Sequence, residues 1–497
     1  MPKPKQLKIT NGIHSSSFRT PDKVAIRHGD RFVTYKQLTD AMRKVSYAAF
    51  TDIRFLGNAA IIANNSIEYL EILFGLADVG VPVITINPKS TPREIVSTLS
   101  QCKINVLFID EKLYKEEYKD LASLIITLGE DYKSWISKQN MLMMYPDIKD
   151  DSVFNIVYSS GTTGNPKGIV ISHKSRFMTS VLMPLDFGWS TIDEVMLCFA
   201  SFSNGGGNAS PIAILNNGGT IIIATQVHPD YIMRTIETYK VTSMFIVPVL
   251  THMIVNTTSC HKFNTSSLKS LVSIAAPFSA DLKTEARKLF GNVVYDAYAS
   301  TECGPVTVHR PYNTDWDYGI HSVGIPVTGS QIQIKREDGS VVTEVGEVGE
   351  IFASTQTSFS GYYTDATNTL ENLLTVDNEF VSAGDLGYVG WDGFLYLVGR
   401  KNDMIITGGN NVYPEEVEAV LNSCPGVIES AVIGTPDDKW GEIVTAFVVG
   451  VPMDDPLEYC RANLASYKLP KKLQYVDSIP KSEVGKILRK KLRDSYK

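Results

Sequence analysis

No stretch of this chain reaches the roughly 20 apolar residues that a membrane span requires. Its first ten residues are polar and basic and lack the apolar core of a signal peptide. The six cysteines (Cys102, Cys198, Cys260, Cys303, Cys424 and Cys460) are scattered, with no C-x-x-C pair and no metal-ligand spacing. That argues against a disulfide framework or a zinc site and for buried free thiols in a reducing compartment. Positive charge is not in excess: the net charge is -7, which gives nucleic acid or an anionic membrane no electrostatic hold as main partner. Repeats and low-complexity tracts are absent too. The expectation is a cytoplasmic protein without nucleic-acid partner or transmembrane segment, whose assembly state is left open, a homo-oligomer included.

With 43% hydrophobic and 20% charged residues the composition is that of a folded globular protein, and 497 residues are too many for one core. Short apolar runs at 59–63, 81–86, 106–109 and 154–158 read as buried strands, with amphipathic helical stretches between them. This alternation predicts an α/β fold with largely parallel sheets. Thr91-Pro92-Arg93-Glu94 sets an N-cap hydroxyl, a proline at the first helical position and a capping-box glutamate in register. A second helix is expected over 67–79, ahead of Gly80. Beyond Gly399-Arg400, the stretch Lys401-Asn402-Asp403 leads into a unit with its own signals: a helix opened by Tyr413-Pro414 and closed at Cys424-Pro425-Gly426, strands near 429–433 and 443–449, and a basic C-terminal helix. Domains are therefore expected at 1–400 and 401–497.

The run Ser159-Ser160-Gly161-Thr162-Thr163-Gly164-Asn165-Pro166-Lys167-Gly168 follows the apolar segment ending at Tyr158. A strand thus feeds a loop of small residues, hydroxyls, backbone amides and one cation, which can wrap a polyphosphate. It is not a Walker A loop, because Pro166 stands at the second glycine and Gly168 where a magnesium-holding hydroxyl should be. The bland alternative is a surface turn.

This loop resembles the phosphate loop of the AMP-forming adenylating superfamily, which includes acyl-CoA synthetases, adenylation domains of peptide synthetases and luciferases. Tyr298-Ala299-Ser300-Thr301-Glu302, Gly384-Asp385, Gly399-Arg400 with Asp403, and Pro480-Lys481-Ser482 through Gly485-Lys486 resemble further motifs of that superfamily, in its order. Each is weak alone; their order along the chain carries the resemblance. It implies a large multi-subdomain N-terminal adenylate-forming domain plus a small mobile α+β C-terminal domain. It further implies ATP, Mg²⁺ and CoA, with a small-molecule carboxylate as partner.

The roles implied have chemical reasons. A carboxylate attacking the α-phosphate approaches a crowded anion, so donors and positive charge are needed where negative charge grows. Lys167 and Thr301 can serve the phosphates, Glu302 can hold Mg²⁺, and Lys486 can bond the carboxylate and α-phosphate oxygens. Asp385, an acceptor-only carboxylate, suits both ribose hydroxyls, and Arg400 can support ribose or phosphate. Asp296-Ala297-Tyr298 is expected at the adenine, with Tyr298 stacking on the base. The resemblance places a hinge at Asn402, about which the small domain turns between half-reactions, and a CoA channel at Gly408 and Gly409.

Departures from the family pattern cluster at the acyl end. Ser203 follows Phe202 where many relatives carry histidine, Ala299 replaces glycine, Ser273-Ile274-Ala275-Ala276-Pro277 replaces a Gly-Gly-Ala-Pro-like tract, and Ala383 replaces threonine. Ser203, Asn204, Pro248, Ala276 and Ala299 are the expected wall residues, with the glycines 205–207 leaving room for an extended chain. The reading is an AMP-forming acid:CoA ligase for a fatty or other medium-sized acid. Its rivals are a stand-alone adenylation enzyme loading a carrier-protein thiol and a catalytically silent acyl- or nucleotide-binding regulator.

Overall fold

The structure, a computed structural model, describes residues 7–159, 167–189, 191–311, 319–363, 370–371, 380–437, 439–452, 455–482 and 485–495. Two large sheets dominate it. The nine-stranded sheet has at its centre the parallel strands Val294–Ser300, Ser270–Ser273, Ser243–Ile246, Val195–Cys198, Thr220–Ile223 and Val24–His28, with antiparallel strands at both edges. The eight-stranded sheet runs parallel through Val153–Ser159, Val83–Ile86, Asn58–Ile62, Ile104–Asp110 and Leu124–Leu128, and Lys167–Ser172, Gly361–Tyr363 and Leu370–Glu371 extend it antiparallel beyond Val153–Ser159.

Helices with little polar face fill the space between sheets. Ile67–Asp78 is buried at nearly every position, as an all-round apolar helix must be. Gly205–Asn216 is buried apart from Gly206. Both contribute to one core that also takes side chains from both sheets, including Ile26, Val272, Ile61 and Phe108. The helix Pro92–Cys102 opens with its expected capping box, Thr91 and Glu94 satisfying each other's backbone amides. All six cysteines are free and buried.

After a four-stranded antiparallel sheet that includes Asp385–Val389 and Leu395–Arg400, the chain builds a five-stranded sheet around Gly441–Gly450 and Val427–Asp437. Two separate hydrophobic clusters serve this sheet, one around Ile405, Val417 and Val444, the other around Ile433, Phe447 and Leu492. Every one of their residues lies beyond position 404. Among the described residues no helix is long and apolar enough to cross a membrane.

Candidate active site

Strand Val153–Ser159 delivers the chain to the phosphate-loop motif. Ser160, Gly161, Thr162, Thr163 and Gly164 lie outside the described residues, and Ser159 is described by its backbone alone. The chain returns at Lys167, whose Nζ lies 4.9 Å from the ring centroid of Tyr362. The Tyr362 hydroxyl donates to Glu302 Oε1 at 3.2 Å. Glu302 and Thr301 sit in the turn between strands Val294–Ser300 and Gly304–His309. That turn is braced from outside, because the amide of Phe359 donates to the Glu302 carbonyl at 2.7 Å. Burial, then the Glu302 carboxylate, raise the Tyr362 phenol above its ordinary pKa.

The second group of calls converges on Asp385. Tyr298 Oη donates to its Oδ2 at 2.8 Å, and Arg400 Nε pairs with its Oδ1 at 3.1 Å. Each carboxylate oxygen can still accept another bond, so two hydroxyls remain within its capacity. Tyr298 keeps 9% of its surface exposed, and its ring belongs to a hydrophobic cluster with Val157, Ile169 and Cys303. Asp296, the first residue of that tract, has a partner of its own. Its carboxylate forms a buried ion pair with Lys283 Nζ at 2.8 Å, and that ammonium also donates to the carbonyls of Ile320 and Ser322. Strand alternation explains this: Asp296 and Tyr298 share a face, while Ala297 turns to the core between the sheets.

The C-terminal segment reaches the same cleft. Gly485 holds φ +78° and lies so near the helix Pro248–Val255 that a Cβ there would stand 3.3 Å from Val249 Cγ1. The turn is closed by Ser482 N to Lys486 O at 2.8 Å and Gly485 N to Ser482 O at 2.9 Å. The Lys486 side chain keeps solvent contact, yet crowding by protein holds its ammonium below the ordinary lysine range. Arg400 adds to that effect; Asp385 and Glu302 oppose it. Three residues on, the half-buried Arg489 pairs with Glu418 at 2.8 Å, Glu415 at 3.1 Å and Asp403 at 3.6 Å. Asn402, the expected hinge, occupies the short 3₁₀ turn Lys401–Asp403 between Arg400 and this cluster.

Gly408 and Gly409 form the tight turn between strands Ile405–Thr407 and Asn410–Val412. A Cβ on Gly408 would meet the Trp440 ring at 2.6 Å, whereas Gly409 faces open space. No contact brings either to the Lys486 cleft in this arrangement among the described residues.

At the acyl end, Ser203 is buried, its hydroxyl 2.8 Å from that of Ser201 and its carbonyl accepting from Thr85 Oγ1 at 3.0 Å. Asn204 caps the helix Gly205–Asn216 without a side-chain bond, and Pro248 is the first residue of its helix. Ala299 lies opposite Pro305 beside a bulge, and Ala276 is half-buried in the loop after Ser270–Ser273. The neighbouring Ala275 has φ +78°, a left-handed conformation uncommon for alanine. The glycine run does not hold a corridor open as expected. A Cβ on Gly205 would meet Thr301 Cγ2 at 2.7 Å and one on Gly207 the Ser201 carbonyl oxygen at 1.9 Å, so only Gly206 faces open space. These glycines let the helix N-terminus approach Thr301.

This arrangement has a counterpart in other proteins. The AMP-binding enzyme profile matches residues 14–363, and the AMP-binding enzyme C-terminal domain profile matches 416–486. The chain belongs to the AMP-binding enzyme family. It is 30% identical to the fatty acid–[acyl-carrier-protein] ligase ScoC of Streptomyces coeruleorubidus, over 97% of this chain and 96% of that one. The o-succinylbenzoate CoA synthetase MenE of Bacillus subtilis, solved with its acyl-adenylate intermediate, is similar at 26% identity with a TM-score of 0.87, over 97% and 98% of the chains. MatB of Rhodopseudomonas palustris, at 25% identity over 99% of both chains, scores 0.90 in its ATP-bound crystal and 0.78 in its apo crystal. This AMP-binding enzyme is thus arranged more like the ATP-bound form than the apo form of that relative.

Two groups of this AMP-binding enzyme that the sequence reading passed over stand out. Tyr362 follows Gly361 with no motif to mark it, and only strand pairing brings it beside Lys167. Arg489 lay hidden in a basic tail that reads as a solvated helix face.

Proposed function

We propose that this AMP-binding enzyme is an ATP-dependent acid:CoA ligase releasing AMP and pyrophosphate. A carboxylate oxygen attacks the α-phosphorus, the bond to pyrophosphate breaks, and an acyl-adenylate forms. A thiolate then attacks the acyl carbonyl and expels AMP. What supports this reading is that Lys486, from the C-terminal segment, lies close enough to Arg400, Asp385 and Glu302 for their charges to act on its ammonium, while Arg400 and Asp385 pair with each other. A cation there lies where charge grows during adenylation. Lys167, Thr301 and the loop 159–164 would serve the phosphates, with Asp385 and Arg400 at the ribose and Asp296, Ala297 and Tyr298 around the base.

Glu302 fits Mg²⁺: it is a half-exposed carboxylate whose second oxygen has no partner among the described residues. Among them no cluster of three or more His, Cys, Asp or Glu could hold a metal by itself. That agrees with the usual way Mg²⁺ is held, by one or two carboxylates plus substrate phosphate oxygens. The ion would supply charge neutralisation at the phosphates.

Two domains meeting near residue 400, with Asn402 as hinge, fit the separate cores on either side and the 3₁₀ turn between them. Rotation there would withdraw Lys486 and bring Gly408 and Gly409 toward the acyl group for CoA, all in the cytoplasm. The proposed acid is fatty or otherwise medium-sized, bounded by Ser203, Asn204, Pro248, Ala276 and Ala299. One observation favours a second reading of the acid. Asn208, a helical turn beyond Asn204 and on its face, is fully buried with neither amide atom paired. An acid carrying a polar group of its own would satisfy it.

The test is pyrophosphate release from ATP over a panel of alkyl, aryl and dicarboxylic acids, with and without CoA. AMP and pyrophosphate, with thioester only when CoA is present, are expected. ADP and phosphate would overturn the reading. Adenylate formed but accepted only by a carrier-protein thiol would favour the ScoC-like alternative, and no turnover with any acid the silent regulator.

A further inference from the structure

Lys167 and Glu302 are opposite charges facing one cleft, yet they do not pair with each other, and Lys167 has no ion pair among the described residues. Tyr362 stands between them. Its strand, Gly361–Tyr363, runs antiparallel to Lys167–Ser172 with Tyr362 opposite Ile169, two residues from Lys167. The ammonium rests against the ring face and the carboxylate accepts from the hydroxyl at the ring's edge. One side chain thus satisfies a cation through its π-cloud and an anion through its O–H. Phe359 fixes the ring from the side, its own ring edge-on at 5.0 Å, while its amide holds the Glu302 carbonyl. The segment 359–362 therefore grips Glu302 at both main chain and side chain.

We propose that Tyr362 is a positioning residue for adenylation, a spacer that keeps Lys167 and Glu302 from neutralising each other and aims one Glu302 oxygen at the nucleotide-bound metal. The proposal rests on the reading of Glu302 as the Mg²⁺ carboxylate. A direct Lys167–Glu302 pair would occupy both groups before ATP arrived, and ATP would have to break it. With the phenol between them both are already oriented, and only the Oε1 lone pair is used.

Tyr362→Phe keeps the ring under Lys167 and removes the bond to Glu302; Tyr362→Leu removes both. For Tyr362→Phe the Mg²⁺ concentration giving half-maximal pyrophosphate release should rise by about tenfold, the low end of what a hydrogen bond to a charged group is worth. By calorimetry its binding of MgATP should weaken by a similar factor while metal-free ATP binds as before. Tyr362→Leu should weaken metal-free ATP as well. Conversion of supplied acyl-adenylate and CoA to thioester should be unchanged in both. Phe359→Leu, which loosens the packing and spares the hydroxyl, should lower thermal stability and move the Mg²⁺ dependence much less than Tyr362→Phe does.

A Tyr362→Phe enzyme with wild-type Mg²⁺ dependence overturns the proposal. So does one that is unfolded, slowed equally in both half-reactions, or matched by Phe359→Leu. Glu302→Gln separates the two ideas. If it also binds MgATP normally, the reading of Glu302 fails; if it does not while Tyr362→Phe does, the spacer alone fails.

Discussion

Asp385 and Lys486 face one cleft but are held there by opposite means. Asp385 is gripped by its side chain, with Tyr298 on one oxygen and Arg400 on the other, at the start of a strand fixed in its sheet. Lys486 is held through its backbone: a left-handed glycine, a turn closed on Ser482, and the half-buried Arg489 cluster behind it. Its ammonium has no hydrogen-bond or ion-pair partner among the described residues. A group that stays in place through both half-reactions can be braced by neighbours. On the proposed two-step reaction Lys486 would be delivered and withdrawn, which suits a group carried on a stiff loop with its head free.

The largest effect expected separates the two regions by reaction step. Lys486→Ala should slow acyl-adenylate formation by about 10²- to 10³-fold, ~3 to 4 kcal/mol, and leave thioester formation from supplied acyl-adenylate intact. Asn402→Pro should do the reverse, since a fixed φ hinders the turn between Arg400 and the Arg489 cluster. Single-turnover kinetics of each half-reaction decides; equal losses in both steps would mean that the two regions never move apart.

Next comes the cluster that stiffens the delivered region. Arg489→Met leaves the buried Glu418 and the half-buried Glu415 without their cation, Asp403 keeping Arg493, and should cost about 3 kcal/mol of C-terminal stability in chemical denaturation. Burial, opposed by Arg489, already pushes Glu418 up to about 7 from 4.5. A carboxyl raised in the folded state binds its proton more tightly there than in the unfolded chain. Its contribution is therefore fully present below pH 4.5 and is lost as pH rises through about 7. The deficit of Arg489→Met should accordingly be smaller at acid pH than above neutrality, whereas Tyr298→Phe, at the fixed region, should show no such pH dependence in that range.

Lys486 supplies a pH test of its own. Its ammonium is the useful form and its pKa is lowered by crowding first and Arg400 second. The alkaline loss of adenylation should therefore begin below the pH of an ordinary lysine, with no matching limb in the thioester step. Coincident limbs would assign the titration elsewhere. The smallest effect concerns the fixed region. Ala275→Gly relieves a left-handed alanine and should raise stability by about 0.5 kcal/mol, the strain released less the added unfolded-state freedom. An unchanged or lower melting temperature would show that the Ala275 methyl contributes packing that outweighs its strain.

Periodicity and capping made the fold class readable in advance. The run 154–158 and the helix start at Thr91 depend on contacts within a few residues, and they appear where local rules put them. Motif order likewise carried the family, because Thr301, Glu302, Asp385, Arg400 and Lys486 each sit in a short recognisable context. What local rules could not reach was side-chain partnership. Which of Asp296 and Tyr298 turns to Lys283 and which to Asp385, and whether glycines 205–207 open a corridor or close a helix against Thr301, depend on strands and helices far apart in the chain. The same holds for Tyr362, 195 residues from Lys167 and set beside it only by antiparallel pairing within a sheet. The sequence alone determined which chemistry this chain carries; tertiary packing decided which of those groups are braced and which is left free to act.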